Sequence, residues 1–215
     1  MLFRSTLDKA ELAQARKLLG ADRLILDDHN STVRFDRLGV RIDLGGIAKG
    51  WAVDGAAAIL RKRGITSALI SAGSSTLYAI GTPPGEAAWT IGIRDARISG
   101  EDDAAASPEN ILAVVELRDM SMSTSSSSER FFSIRGQRYS HVLDPRTGMP
   151  AAAMSSATVV APSATESDAL STAVFVQGTQ AGAALLKRLE CGGFLVRQQE
   201  SSAQDRKSTR LNSSH

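Results

Sequence analysis

The chain contains 215 residues, a length that suits one large domain or two small ones, and its 42% hydrophobic and 22% charged residues are typical of a globular protein. Its formal net charge of +2, without a basic stripe interleaved with aromatic residues, argues against nucleic acid as a partner. Cys191 is the single cysteine, which excludes an intrachain disulfide and a cysteine zinc cluster. No apolar run approaches the roughly 18 residues of a membrane-spanning helix.

The first half of the chain predicts two helices and a series of short strands. The first helix covers residues 8–19 and has Thr6 as its expected cap. The second covers residues 47–63, ends in basic residues and is followed by Gly64, which suits a left-handed helix end. Its apolar residues fall mostly on one face, and they are Ala48, Trp51, Ala52, Ile59 and Leu60. Strands are predicted at residues 23–26, 32–35, 40–43, 67–71, 77–80 and 89–94.

The second half of the chain predicts further strands and two closing helices. An acidic, alanine-rich segment at residues 99–110 is expected to be a loop. The remaining predicted elements are strands at 111–117, 157–161 and 194–197, a hairpin of 130–134 and 137–143 around Arg135-Gly136, and helices at 165–177 and 179–189. Because the strands outnumber the helices and look antiparallel, the predicted fold class is α+β, a mostly antiparallel sheet packed with helices.

The segment Asp43-Leu-Gly-Gly-Ile-Ala-Lys-Gly50 is the most informative part of the sequence. A predicted strand runs into a glycine pair and then into a helix whose first turn carries Lys49. A lysine is locally unfavourable there, because the helix N-terminus already carries partial positive charge. A nearby anion reverses that penalty, so the segment indicates a phosphate or nucleotide site, and the alternative is a lysine that extends into water. Neither the P-loop pattern nor the dinucleotide-binding glycine pattern is present.

A second segment combines a predicted helix start with oxygen ligands. Ser163-Ala-Thr-Glu166 fits a capping box, which places the helix start near residue 164. Asp168 and Thr172 then lie about one turn apart on the same helical face. A carboxylate and a hydroxyl at this spacing can supply two oxygens to Mg²⁺, which takes few protein ligands and keeps waters or substrate phosphates. The alternative is an acid that complements the helix dipole, with Thr172 packed nearby.

Other segments carry candidate reactive groups. His141 lies at the end of a hairpin strand that runs into the turn-forming pair Asp144-Pro145. It is either a general base near neutral pH or a structural histidine bonded to the turn. The serine-rich run at 124–130 is expected to be a loop, which either covers phosphates or is simply flexible. The run at 71–76 offers another close backbone approach, and no nucleophile-elbow pattern supports a reactive serine in either run.

Taken together, four ordered blocks of this sequence resemble the ApbE family, the FAD:protein FMN transferases. The blocks are Asp43-Leu-Gly-Gly-Ile-Ala-Lys-Gly-Trp-Ala-Val-Asp54, Ala68-Leu-Ile-Ser-Ala-Gly73, Tyr139-Ser-His-Val-Leu-Asp-Pro-Arg-Thr-Gly148 and Asp168-Ala-Leu-Ser-Thr172. The resemblance covers roughly residues 10 to 197 and implies an ApbE-like fold. We expect residues 1–197 to form part of such a domain, whose relatives carry further N-terminal residues. We expect residues 198–215 to be a disordered or artefactual tail.

The resemblance implies a role for each matched position. Asp43 and Lys49 would contact FAD, and Val142 would lie against the flavin nucleotide. The Mg²⁺ ligands would be the Gly46 backbone carbonyl, Asp168 and Thr172. His141 would help to deprotonate the incoming acceptor, with Asp144 as an alternative base or as an orienting partner.

The resemblance also implies an activity and a cellular setting. Family members move FMN from FAD to a threonine hydroxyl of a target protein and release AMP, and the expected target is a membrane electron-transport subunit. The expected location is the periplasm or a lipid anchor at the membrane. Three alternatives remain at this stage: an FAD pyrophosphatase that gives FMN and AMP, a flavin-binding protein without turnover, and an inert fragment.

Overall fold

The computed structural model describes residues 8–96, 110–127, 131–134 and 137–198. Five parts of the sequence predictions lie outside these ranges: Thr6, residues 99–109 of the predicted acidic loop, residues 128–130 of the predicted serine loop (of which 130 also begins the predicted hairpin), the hairpin turn at 135–136, and the predicted tail from residue 199 onward. None of the helices in the described ranges is long and apolar enough to cross a membrane.

A capped helix opens the described chain. α1 covers Lys9–Arg16, so it is shorter than the predicted helix. The Asp8 carboxylate accepts hydrogen bonds from the amides of Ala10 and Glu11, and the Glu11 side chain accepts one from the Asp8 amide. Asp8 is therefore the cap, and the prediction of Thr6 was wrong, because the Asp8 carboxylate reaches two amides that the first turn leaves without partners.

A hairpin follows α1 where the sequence predicts two strands. β1 covers Leu24–Asp27 and β2 covers Thr32–Phe35, and the pair is antiparallel. The strand predicted at 40–43 is absent from the described residues: the chain there has no regular secondary structure, and Ile42 is exposed. A strand needs a hydrogen-bonded neighbour, and the described residues provide none at this position.

The second helix, α2, covers Ala48–Lys62, close to its prediction. Gly64 has a left-handed backbone (φ 81°), and its amide bonds the Arg61 carbonyl while the Ile65 amide bonds the Leu60 carbonyl. This is the expected glycine-terminated helix end. Of the predicted apolar face only Leu60 packs against the core, and the rest of that prediction was wrong: the buried residues are Gly50, Val53 and Ala57, whereas Trp51 is 74% exposed. Small residues occupy much of the buried face because they let α2 approach its neighbours closely.

The remaining elements in chain order are β3 Ala68–Ala72, β4 Thr76–Ile80, β5 Trp89–Arg94, β6 Ile111–Leu117, β7 Ser121–Ser126, β8 Phe131–Ile134, β9 Gln137–Ser140, β10 Leu143–Asp144, β11 Met149–Pro150, β12 Met154–Ala161, α3 Ala164–Gln177, α4 Thr179–Arg188 and β13 Gly192–Arg197. Five strands form one sheet in the order β13-β12-β7-β4-β3. The pairings within this sheet are antiparallel, as are those of the β5–β6 and β8–β9 hairpins. The predicted α+β class is confirmed.

The main sheet is covered on both faces. On one face, α2 buries Val53 and Ala57 against Tyr78 and Ile80 of β4. The same face carries a second core cluster of β12, α3 and α4, built around Phe175, which is fully buried. On the other face, the β5–β6 hairpin packs apolar side chains against β4 and β7, including Ile93, Leu117 and Met122. The helices that carry the predicted site therefore stand on a sheet that is packed from behind.

The middle strand of the sheet, β7, corrects the prediction of a serine loop. Residues 124–126, at the start of the predicted 124–130 loop, belong to β7 and pair with β12. Serine has no strong preference for strands, so residue propensities gave no sign of β7. The alternating exposure of its side chains to the two faces of the sheet sets up the site described next.

Candidate functional site

The N-terminus of α2 lies beside the hairpin loop between β3 and β4. Lys49 occupies the first turn of α2, as predicted, and its Nζ donates a hydrogen bond to Ser75 Oγ. Ser75 is buried and ends a tight loop in which Gly73 and Ser74 have left-handed backbones (φ 60° and 56°). The Lys49 ammonium therefore lies against the run at 71–76 for which the sequence predicts a close backbone approach.

Asp168 reaches the same helix N-terminus from the opposite side. Its side chain is 4% exposed, and its Oδ2 accepts a 2.9 Å hydrogen bond from the Gly50 amide. A Cβ on Gly50 would lie 2.1 Å from the Ala164 carbonyl oxygen, so only glycine allows α2 and α3 to meet this closely. The Asp168 carboxylate thus complements the dipole of α2 rather than that of its own helix.

The two helices cap each other. Asp54, in the middle of α2, accepts hydrogen bonds from the amides of Ala164 and Thr165 at 2.8 and 2.9 Å, and a further one from the Thr165 hydroxyl at 2.6 Å. Ser163 Oγ accepts from the Glu166 amide at 3.2 Å, which confirms Ser163 as the cap of α3, although the described residues lack the reciprocal bond to the Glu166 side chain that a full capping box requires. Asp54 and Asp168 together fix the position of α3 against α2.

Of the three proposed metal ligands, Gly46 lies beside Thr172, and Asp168 precedes Thr172 on the same helix. A Cβ on Gly46 would lie 3.3 Å from Thr172 Oγ1, so the turn before α2 passes directly beside that hydroxyl. Asp168 and Thr172 lie one turn apart on α3. Within the described ranges, the structure gives Asp168 Oδ1 no hydrogen-bond donor and Asp168 no cationic partner, which leaves an oxygen available to a cation.

This donor set fits Mg²⁺. The ion prefers hard oxygen ligands and is commonly held by one or two carboxylates together with substrate oxygens and waters. A buried carboxylate without a charged partner is costly, and a divalent cation would offset that cost. The described residues contain no group of three or more His, Cys, Asp or Glu that could hold a metal, so a site here would depend on the mixed carboxylate, hydroxyl and backbone set.

The predicted catalytic pair lies on a separate turn. His141 is exposed just after β9, and Asp144 belongs to β10. The Asp144 carboxylate accepts hydrogen bonds from Arg146 Nε at 2.9 Å and Nη2 at 2.8 Å. These bonds to the Arg146 guanidinium hold the pKa of Asp144 below its ordinary value, which makes Asp144 a poor base and suits an orienting or turn-forming role.

The same turn is tied to α3. Arg146 Nη2 donates to the Val176 carbonyl at 3.1 Å, near the C-terminus of that helix. Val142, predicted to lie against the flavin, is half-buried and packs on the core cluster of β12, α3 and α4. Asp43, predicted to contact FAD, is exposed, and its Oδ1 accepts a 2.7 Å hydrogen bond from the Gly45 amide in the turn before α2.

Three groups of residues at this site were not predicted from the sequence. Asp54 gives no local signal, because an acid in mid-helix is ordinarily solvated. Ser75 was noticed only as part of a small-residue run. The serines at 121, 123 and 125 do carry a signal, since their period of two matches a strand with one polar face, but the neighbouring serines obscured it.

Comparisons with known proteins agree on one family. Residues 3–194 match the ApbE family. The chain is 38% identical over 165 residues to the FAD:protein FMN transferase of Treponema pallidum (strain Nichols). The aligned segment covers 73% of this chain and 43% of that protein. It is 33% identical over 174 residues to the FAD:protein FMN transferase of Rhodobacter capsulatus. This aligned segment covers 80% of this chain and 31% of that protein.

Solved structures show the same fold. The crystal structure of the ApbE protein from Thermotoga maritima superposes with a TM-score of 0.78 at 33% identity, covering 94% of this chain and 64% of that one. The apo flavinyl transferase ApbE of Pseudomonas stutzeri superposes with a TM-score of 0.74 at 30% identity, covering 91% and 57%. This chain thus spans about a third to a half of the two curated relatives above. With a family match over nearly all of the described residues and a shared fold, the chain belongs to the ApbE family.

Proposed function

We propose that this chain carries the Mg²⁺ and pyrophosphate site of an FAD:protein FMN transferase, which moves FMN from FAD to a threonine hydroxyl of a target protein and releases AMP. The observation that carries the proposal is the meeting of Gly46, Asp168 and Thr172 beside the α2 N-terminus that bears Lys49. The named activity of the relatives from Treponema and Rhodobacter supports it.

The proposed reaction is a displacement at phosphorus. The acceptor threonine oxygen forms a bond to the FMN phosphorus of FAD, the pyrophosphate bridge to that phosphorus breaks, and AMP leaves with the electron pair. The threonine proton passes to a base, for which His141 is the candidate. Little covalent chemistry is required of the protein, so positioning and charge stabilisation supply most of the rate.

Each element of the site has a place in this scheme. Bound Mg²⁺ would neutralise the pyrophosphate and the charge that develops on the leaving phosphate. Asp168, Thr172 and the Gly46 carbonyl would hold the ion. The Lys49 ammonium, at the positively polarised N-terminus of α2, would bind the remaining phosphate oxygens. Asp43 is proposed to contact FAD, and Val142 is proposed to lie against its flavin nucleotide.

The acceptor and the location are also proposals. A membrane electron-transport subunit that carries the threonine, and a position in the periplasm or on a membrane anchor, follow from the resemblance to the family. Labelled FMN transferred from FAD to membrane proteins of the source cell would identify the acceptor by mass spectrometry. Transfer to cytosolic proteins alone would contradict this location.

The test of the proposed activity is AMP release from FAD, with Mg²⁺ or with EDTA, in the presence and absence of an acceptor protein. We expect release to require Mg²⁺ and to be accompanied by a covalent FMN adduct on the acceptor. Free FMN and AMP without an adduct would identify a pyrophosphatase instead. FAD binding without AMP release would identify a flavin-binding protein.

Asp168→Asn is the informative variant for the metal. Asparagine keeps an oxygen for the Gly50 amide but removes the charge, so the fold is retained and the rate at limiting Mg²⁺ falls by about 10-fold or more. Glu166→Gln is the matched control, because it removes a carboxylate from the same helix outside the site. An unchanged rate for Asp168→Asn at limiting Mg²⁺ would overturn the assignment.

A further inference from the structure

Three serines of β7 face α3, and their hydroxyl groups lie within hydrogen-bonding distance of hydroxyl groups on that helix. Ser121 Oγ and Ser123 Oγ lie 2.7 and 2.8 Å from Ser167 Oγ. One step further along β7, Ser125 Oγ lies 3.0 Å from Ser171 Oγ and 3.2 Å from Thr172 Oγ1. We call these six side chains the hydroxyl ladder. The ladder connects the centre of the sheet to the residue proposed to ligate Mg²⁺.

The distances assign a direction to the protons at the upper end of the ladder. Ser171 Oγ donates to the Asp168 carbonyl at 2.9 Å, so its oxygen is left as an acceptor. Ser125 donates its single proton to Ser171 at 3.0 Å. With its proton committed, Ser125 can only accept from Thr172, which donates at 3.2 Å.

The opposite direction is less favourable. In that arrangement Thr172 would donate to the Asp168 carbonyl, which lies 3.5 Å away, at the limit of a hydrogen bond. Ser125 would then donate to Thr172 and occupy one of its lone pairs. The chain Thr172 to Ser125 to Ser171 to Asp168 carbonyl uses the shorter contacts throughout, and among the described residues it leaves the lone pairs of Thr172 unoccupied by other donors.

We infer that Ser125, supported by Ser171, is a positioning residue that draws the Thr172 proton toward the sheet and so presents the Thr172 lone pairs to the metal. The inference rests on the proposed function, since it concerns the same Mg²⁺ site. Ser125 touches neither the metal nor the substrate in this scheme. Groups that orient metal ligands in this way commonly change metal affinity by about 10- to 100-fold.

The test measures metal binding by the whole chain and needs no turnover. Mn²⁺ is titrated against the protein, and free Mn²⁺ is followed by electron paramagnetic resonance, because the bound ion loses its sharp solution signal. Ser125→Ala is expected to weaken Mn²⁺ binding by about 10-fold. Ser123→Ala is the matched control: it removes a buried hydroxyl from the same strand and ladder, but one that bonds Ser167 and not Thr172.

Ser171→Ala provides a second, independent variant. Without Ser171, the nearest partner for the Ser125 proton is Thr172 Oγ1, so this variant also weakens Mn²⁺ binding although Ser171 does not contact the proposed ligand oxygen. Urea unfolding of each variant checks that it is folded at the temperature of the titration. Weakened binding in Ser125→Ala and Ser171→Ala, with Ser123→Ala unchanged, supports the inference.

The contrary results are distinguishable. Unchanged Mn²⁺ affinity in Ser125→Ala and Ser171→Ala would overturn the role of Ser125 and leave the metal site standing. Equal losses in Ser123→Ala and Ser125→Ala would show general loosening of the interface, which also overturns it. Failure of the unsubstituted chain to bind Mn²⁺ would overturn the metal site itself and the inference with it.

Discussion

At the scale of single residues, His141 combines exposure with an anchored backbone. Its turn is held by the Asp144–Arg146 pair and by the bond from Arg146 to α3, so an acceptor could approach the imidazole without reorganising the fold. We expect His141→Ala to lower turnover by about 100-fold while FAD affinity changes little, because a general base acts only in the reaction step. The measurements are AMP release under saturating FAD and FAD affinity by flavin fluorescence.

Asp144→Asn is the control for His141→Ala. It removes a carboxylate from the same turn without removing the imidazole, and its low pKa argues against a role as base. A loss of FAD affinity without loss of turnover in His141→Ala would make His141 a binding or structural residue. A turnover loss in Asp144→Asn as large as that in His141→Ala would show that Asp144, as base or as the support of the turn through Arg146, matters as much as the imidazole.

Asp119 illustrates how a turn residue can respond to pH. Its Oδ1 accepts hydrogen bonds from the Gly81 amide at 3.1 Å and from Arg61 Nη2 at 3.0 Å. The Gly81 amide, with the Arg61 charge, holds the pKa of Asp119 below its ordinary value. The stabilisation is therefore fully present above the unfolded-state pKa of about 3.9, and it is lost as the pH falls through the lower folded-state value.

The expected result of Asp119→Asn is a melting temperature lower by about 2 °C at neutral pH, small because the pair is exposed. The difference from the parent chain should shrink as the pH falls from about 4 through the lower folded-state pKa, since the parent carboxylate is protonated first in the unfolded chain and then in the folded one. Melting curves at pH 7 and pH 3 measure it. Asp22→Asn, which removes an exposed carboxylate elsewhere, is the control, and a pH-independent difference for Asp119→Asn would contradict the electrostatic explanation.

At the scale of elements, the crossing of α2 and α3 depends on Gly50. A methyl group there would meet the Ala164 backbone at 2.1 Å, and the Gly50 amide would be displaced from Asp168. We expect Gly50→Ala to lower the free energy of unfolding by about 3 kcal/mol or more. Urea denaturation measures the change.

Gly55, one turn further along α2, provides the matched control for that substitution. Nothing lies within 4 Å of a Cβ built on Gly55, so Gly55→Ala should raise the free energy of unfolding by up to about 1 kcal/mol through helix propensity. Similar destabilisation in both variants would show that strain within α2, rather than the helix crossing, decides the effect. Retained stability in Gly50→Ala would contradict the close approach itself.

The elements also show where a reading of sequence succeeds and where it fails. Helices α2, α3 and α4 were predicted to within a few residues, because their caps and periodicity are local signals. The strand at 40–43 was wrong because pairing depends on a distant neighbour. β7 was partly mistaken for a loop because its stability comes from its central place between β12 and β4, which composition does not reveal.

In the candidate site, too, local features could be predicted and contacts between distant segments could not. The spacing of Asp168 and Thr172 is a property of one helix and could be predicted from the sequence. Their approach to Gly46 came only with the family resemblance, because it requires the tertiary crossing of α2 and α3. Asp54 could not be predicted at all, since its partners lie 110 and 111 positions further along the chain.

At the scale of the whole molecule, the sheet provides a support with one polar strip at its centre. Apolar clusters lie on either side of that strip, around Val53 and around Phe175, and the β5–β6 hairpin closes the opposite face. The proposed ligands stand over the strip rather than over either apolar cluster. The buried centre of the sheet therefore lies under the residues whose positions matter most.

The serines of β7 also limit how this protein can change over generations. Larger apolar residues at 121, 123 or 125 would be ordinary improvements in most sheet interiors, but here each would push α3 outward and carry Asp168 and Thr172 with it. Selection for stability and selection for a working site therefore oppose each other on this strand. A lineage that retained the fold but no longer needed the reaction would be expected to replace these hydroxyls first.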